Sequence, residues 1–280
     1  MRINILSVLA VAAIMQMGCN GSDTSTTKTS TMDSTSTSAN IKEDSVIISE
    51  EGHTYKGFVA YDSSKEGKRP GVLVVHEWWG PGDYVRMRAK QLAGLGYIAL
   101  AVDMYGDGKM GNDPKEAQAL AMPFYMNPAL TLTRLNPWIT KLKSYPQTDA
   151  SKLGAMGYCY GGYVVLNAAK QGADLKGVVS FHGNLGGAPV DRNLLKSKVL
   201  ICHGAADSFV KKDEVKAFKQ AMDSAGIAYT FKAYPNATHA FTNPAATETG
   251  KKFKMPIEYN GAADTASWND MKAFFTKTFQ

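Results

Sequence analysis

One recurrence constrains the fold of this chain more than any other feature. Short apolar runs, rich in β-branched residues, stand at residues 71–76, 97–102, 153–156, 177–181 and 199–202. Runs apolar on both faces need cover on both sides, as parallel strands between helices have. Segments with helical spacing lie between them, at residues 85–95, 129–142, 160–169, 211–225 and 262–279. Asp83 is placed to cap the first of these, and Gly96 to end it. Pro137 is expected to break or kink the second. Two earlier strands, at 45–49 and 55–61, are predicted to pair antiparallel around Glu51-Gly52. A final strand is read at 229–234. The alternation predicts an α/β fold, doubly wound, with a mostly parallel central sheet and helices on both faces. A chain of 280 residues is long enough for one such domain.

The chemistry is concentrated where three of these strands end. The run 152–156 enters Gly157-Tyr158-Cys159-Tyr160-Gly161-Gly162, and a helix follows at once. Gly-x-Cys-x-Gly between strand and helix is the nucleophile elbow of α/β hydrolases, with cysteine in place of serine. The turn is tight enough that the residues two before and two after the nucleophile must be very small. The helix N-terminus behind it favours a thiolate and a developing oxyanion. Alone, the segment also reads as a glycine-rich turn with a chance cysteine.

Downstream residues decide between the two. Asp207 follows the strand at 199–202, in His203-Gly204-Ala205-Ala206-Asp207, and His239 follows the strand at 229–234. Nucleophile, acid and base thus occur in the chain order of this fold, each at the carboxyl end of a strand. Asp207 would orient His239, which would take the proton of Cys159. The segment His76-Glu77-Trp78-Trp79-Gly80 follows a central strand. That loop supplies an oxyanion donor in this fold, so the backbone N–H groups of Trp78 and Tyr160 are the candidates. Glu77 would bring a carboxylate close to the thiol; the alternative is a plain loop residue, with Trp78 and Trp79 as core packing.

The N-terminus is read apart from the fold. A short positive start, an apolar run to Met17 and the sequence Gly18-Cys19 have the form of a signal peptide over residues 1–18. Cys19 resembles the lipidated cysteine of bacterial lipoproteins, although Gln16 departs from that pattern. Residues 22–38 hold 13 serines and threonines. With so little to bury, residues 19–44 are expected to form a disordered tether ahead of a domain at 45–280. Export to the periplasm or cell envelope as an anchored lipoprotein follows as an expectation.

The net charge of +6 is scattered, with no basic block suited to nucleic acid. No cluster has metal-ligand spacing, and no phosphate-cradling loop occurs. Neither metal nor cofactor is implied. Cys202 lies inside an apolar strand and reads as a small buried hydrophobe. His182, after a strand end, reads as a hydrogen-bonded structural residue, with reach into the pocket as the alternative.

Taken together, the five segments His76-Glu77-Trp78-Trp79-Gly80, Val102-Asp103-Met104-Tyr105-Gly106, Gly157 to Gly162, His203 to Asp207 and His239-Ala240-Phe241 resemble the dienelactone hydrolase family over residues 46–280. The resemblance implies an α/β-hydrolase fold, a Cys–His–Asp triad without metal, and a glutamate, here Glu77, hydrogen-bonded to the resting thiol. Two arginines that bind the substrate carboxylate in that family are missing. Tyr105-Gly106-Asp107 stands where one is expected, and Asn243 where the other is. A substrate other than the carboxylate-bearing dienelactone is therefore expected. Trp79, Tyr105, Tyr158 and Phe241 are candidates for an aromatic pocket.

The reading is a hydrolase that cleaves a small-molecule ester or lactone through an acyl-cysteine. It would act as a monomer or small homo-oligomer and touch the membrane only through its lipid anchor. The competing readings are a tethered non-catalytic binding lipoprotein and a redox thiol protein. The first has no need of an ordered triad, and the second lacks a nearby resolving cysteine.

Overall fold

A computed structural model describes residues 39–50 and 52–280. The expected signal peptide, Cys19 and most of the expected tether fall outside these residues.

Eight strands form one sheet. They are β1 (Ile41–Glu50), β2 (His53–Asp62), β3 (Arg69–Val75), β4 (Ile98–Val102), β5 (Thr148–Tyr158), β6 (Gly177–Phe181), β7 (Lys198–Gly204) and β8 (Tyr229–Tyr234). Their order across the sheet is β1-β2-β4-β3-β5-β6-β7-β8. β1 and β2 form an antiparallel hairpin, and β2 lies antiparallel to β4. From β4 to β8 every pairing is parallel. The predicted sheet is therefore present, with the hairpin reaching back to Ile41, four residues ahead of the expected domain start.

Burial explains the runs. β4 and β6 are buried at every position, so each alternate residue needs an apolar partner on its own face. One face is covered by α3 (Ala129–Lys143), α4 (Tyr160–Lys170) and α5 (Lys212–Ser224), whose Leu135, Val164 and Phe218 belong to the same apolar cluster as Leu73 and Leu100. α1 (Asp83–Gly94) and α7 (Gly261–Thr278) cover the other, through Leu92, Met271 and Phe275.

Two local expectations change. The N-cap of α1 is Gly82, and Asp83 is its first helical residue, where its charge meets the helix dipole. α3 runs through Pro137 without interruption, because Trp138, Ile139 and Leu142 beyond it are all buried in the core. Two helices were not anticipated, α2 (Pro114–Met126) and α6 (Ala246–Phe253).

Strand order reverses around β3. Its neighbours are β4 on one side and β5 on the other, and the chain crosses over between them. A crevice opens at such a switch point beyond the carboxyl ends of the strands. β3 there delivers His76-Glu77-Trp78, and β5 delivers Cys159.

Leu73 in β3 is fully buried. Leu73→Ala should cost about 2–5 kcal/mol. Ile47, 64% exposed on β1, should tolerate serine within about 0.5 kcal/mol. Thermal melts followed by circular dichroism check both.

Candidate active site

Cys159 sits at the apex between β5 and α4 with φ 53° and ψ −116°. A side chain at positive φ carries strain of order 1–3 kcal/mol, so the surroundings must impose it. Its N–H is held by the Phe181 carbonyl at 2.9 Å and by Nδ1 of His182 at 3.1 Å. The glycines leave no alternative. A Cβ on Gly157 would lie 2.1 Å from the Gly161 carbonyl oxygen, and one on Gly161 would lie 2.3 Å from that of Val75. β3, the turn and α4 are therefore in backbone contact.

Asp207, on the loop after β7, has a fully buried side chain. Its Oδ1 accepts the N–H groups of Phe209 at 2.8 Å and Val210 at 3.2 Å. Its Oδ2 lies 2.8 Å from Nδ1 of His239. Burial pushes the carboxyl pKa up, but the hydrogen bond and charge of His239 and the two backbone donors prevail, and the net shift is downward. His239, on the loop after β8, has the opposite problem. Burial disfavours its imidazolium. The charge of Cys159, and hydrogen bonds to Asp207 and Cys159, outweigh that and push its pKa up to about 10. With Nδ1 engaged by Asp207, Nε2 remains for the sulfur. The structure thus brings Cys159, His239 and Asp207 together.

Glu77 is buried beside them. Burial, partly offset by Asn243 and by the charges of His239 and Arg88, raises its pKa to about 7. Its hydrogen-bond partner is not the thiol, as the resemblance implied, but Asn243, whose Nδ2 donates to Oε2 at 2.6 Å. Asn243 occupies a position where the resemblance leads one to expect arginine, and a neutral amide there brings a hydrogen bond without a charge. Trp78 and Tyr160, the expected oxyanion donors, stand at the two loops that converge on Cys159. Tyr160 is the first residue of α4, where N–H groups have no intrahelical acceptor. The Trp78 N–H has no acceptor among the described residues.

A cavity of about 260 Å³ opens over these groups, with Glu77, Trp78, Cys159 and His239 in its wall. Trp79 lines it, as expected. Tyr105, Tyr158 and Phe241 do not. Tyr158 points to the opposite face of the sheet, stacked on Phe181 at 4.8 Å and edge-on to Tyr84 at 5.0 Å. Phe241 is fully buried on that same face, against Tyr234. Tyr105 lies behind the Trp78 loop, and its hydroxyl donates to the Trp78 carbonyl at 3.0 Å.

The remaining walls come from residues that sequence reasoning missed. α2 contributes Met122 and Tyr125, the loop after β6 Asn184, and the segment after α6 Met255 and Ile257. A signal for α2 was present. Asp113 caps the helix, accepting the Glu116 N–H, and Pro114 is its first residue. His182 proves structural: its Nδ1 faces the Cys159 N–H, and its Nε2 lies 2.7 Å from Thr242 Oγ1. Cys202 is a free, buried thiol.

A mostly parallel sheet, an elbow between its central strand and a buried helix, and helices on both faces define an α/β hydrolase. Comparison with known proteins narrows this. A profile of the dienelactone hydrolase family matches residues 56–279. A solved structure titled as a dienelactone hydrolase-like promiscuous phosphotriesterase from metagenomic libraries superposes with a TM-score of 0.80 at 32% identity, covering 86% of this chain and 99% of that one. Protein usf of Aquifex pyrophilus is 28% identical over 235 residues, 82% of this chain and 96% of that protein. A protein provisionally assigned as a carboxymethylenebutenolidase in Methylorubrum extorquens is 30% identical over 186 residues, 62% of this chain and 64% of that protein. The chain belongs to the dienelactone hydrolase family, and it is accordingly a carboxylic ester hydrolase.

The raised pKa of His239 has a measurable consequence. Its imidazole should stay protonated from neutral pH up to about 10. In Asp207→Asn the charge opposite Nδ1 is lost, so the ring should release its proton at lower pH than in the wild type. Histidine-selective ¹⁵N NMR titration of both proteins checks this.

Proposed function

We propose that this enzyme cleaves a neutral ester or lactone through a covalent acyl-cysteine on Cys159. The observation that carries the reading is the convergence of Cys159, His239 and Asp207 under one cavity, whose described lining holds a glutamate and neither lysine nor arginine.

In the first half-reaction the Cys159 sulfur attacks the carbonyl carbon, and the carbonyl electron pair moves onto oxygen. The N–H groups of Trp78 and Tyr160 receive that oxyanion; removing one such donor costs about 10²–10³-fold in rate. Collapse of the tetrahedral intermediate breaks the C–O bond. His239 gives its proton to the departing alkoxide, and the acyl group stays on sulfur. In the second half-reaction His239 takes a proton from water, the hydroxide attacks the thioester, and the acid leaves as the thiolate is restored. Asp207 holds the imidazole in the orientation both steps require.

Support for a neutral substrate comes from the wall. Arg88, the guanidinium whose charge reaches Glu77, is already committed to Asp264 and to the Thr242 carbonyl. The imidazole of His239 is already held between Asp207 and Cys159, so a carboxylate brought into this cavity would gain no partner of its own, at a cost of about 3–5 kcal/mol.

With p-nitrophenyl butyrate we expect turnover, with an acyl adduct on Cys159 seen by mass spectrometry and loss of both in Cys159→Ala. Equal rates for wild type and Cys159→Ala would refute the mechanism. The matched hemisuccinate ester should be cleaved about 100-fold less efficiently or worse. Equal kcat/KM for the two esters would refute the neutral-substrate part alone.

We also propose anchoring through Cys19, supported by the form of the N-terminal sequence. Labelled palmitate should enter the expressed full-length chain and be absent from Cys19→Ser.

A further inference from the structure

His76 is fully buried and takes no part in the chemistry above. Its Nδ1 lies 2.5 Å from the Glu77 carbonyl oxygen, and its Nε2 accepts the Met104 N–H at 3.3 Å. Because Nε2 accepts, the ring proton belongs on Nδ1, which donates to Glu77. Burial pushes the pKa of the ring down to about 4, against the opposing pull of the Glu77 hydrogen bond and the Asp103 charge. The neutral ring is therefore the working form at ordinary pH. Aromatic contacts fix its plane, stacked 5.6 Å from Tyr160 and edge-on at 4.7 Å to Tyr105.

The Glu77 carbonyl accepts a second donor, the Gly80 N–H at 3.2 Å. The next carbonyl, that of Trp78, is held by the Tyr105 hydroxyl. The peptides on both sides of Trp78 are thus tied down. A planar trans peptide directs its C=O and N–H to opposite sides. Holding the Glu77 oxygen against His76 sets the direction of the Trp78 N–H.

We propose that His76 is a positioning residue: its Nδ1–H locks the Glu77–Trp78 peptide so that the Trp78 N–H faces the oxyanion that forms beside Cys159. The proposal rests on the reading of Trp78 as an oxyanion donor. The lock acts on the transition state more than on bound ester, because charge builds on that oxygen only during attack.

Two substitutions separate this role from general packing. His76→Asn keeps a donor near the place of Nδ1 and gives up Met104. His76→Gln keeps an acceptor toward Met104 and gives up Glu77. We expect His76→Asn to retain kcat within about five-fold, and His76→Gln to lose about 100-fold in kcat with KM changed less than about two-fold. Equal losses in the two variants, or a loss confined to KM, would overturn the proposal. Two measurements on the wild-type protein need no variant. ¹⁵N NMR should show His76 protonated at Nδ1; protonation at Nε2 instead would overturn the lock. Binding an aldehyde analogue, which adds to Cys159 as a hemithioacetal, should shift the Trp78 amide proton downfield, and an unmoved amide would overturn its role. Analogue binding without any ester turnover would count against the ester-hydrolysis reading, while the amide shift would still decide the role of His76.

Discussion

The structure turns on a steric contact between backbones. Gly161, in the first turn of α4, lies against the Val75 carbonyl at the end of β3, and Gly157 lies against Gly161. No side chain fits at either place. This closeness forces the tight turn that puts Cys159 at positive φ and starts a helix directly behind it. It also joins the two loops that the site needs, since the chain leaving β3 continues into Glu77 and Trp78. Strain at one residue is sustained by a helix whose every residue is buried.

Charge is then arranged around that apex by burial. Burial alone would neutralise all three ionisable partners: it raises Asp207 and Glu77 and lowers His239. Specific partners reverse its effect on two of them. Asp207 has two backbone donors and the imidazole, and His239 has a charge on each side. Glu77 has one neutral amide as donor, and the charges of His239 and Arg88 add too little, so burial keeps the upper hand and its pKa rises to about 7. Carboxylates within one site thus differ in protonation because their hydrogen-bond donors differ.

How much of this was legible in the sequence follows from the same physics. The central strands, buried on both faces, announce themselves as apolar runs, whereas β1, β2 and β8, partly exposed at the two ends of the sheet, are legible from alternation and turn residues, β1 only over its middle. The elbow at Cys159, and Asp207 and His239 at the ends of their strands, were legible because steric need and chain order leave few alternatives. The pocket was not. Tyr158 adjoins Cys159 in sequence, but strand alternation turns it to the other face, onto Phe181 and Tyr84. α2 was overlooked because it buries only three residues, and so carries a weak apolar pattern. Its cap, Asp113 followed by Pro114 and Glu116, held the information instead. Asn243 shows a further limit. The sequence revealed that an arginine was missing, and only coordinates revealed that the amide in its place grips Glu77.

The position of β8 has a consequence of its own. It is the outermost strand at its end of the sheet, bound on one side only, and most of its side chains are at least partly exposed. His239 lies on the loop that follows it, where Asp207 and a bridge to Ile257 hold the residue itself and the Ala206 and Asn260 N–H groups hold the backbone at Ala237 and Phe241. Edge strands open with less free energy than the core. Heating should therefore loosen β8, and with it the loop that carries His239, while the central strands still hold, and inactivation should precede the global melt. The margin of this enzyme at high temperature is set at the border of its sheet, far from the elbow.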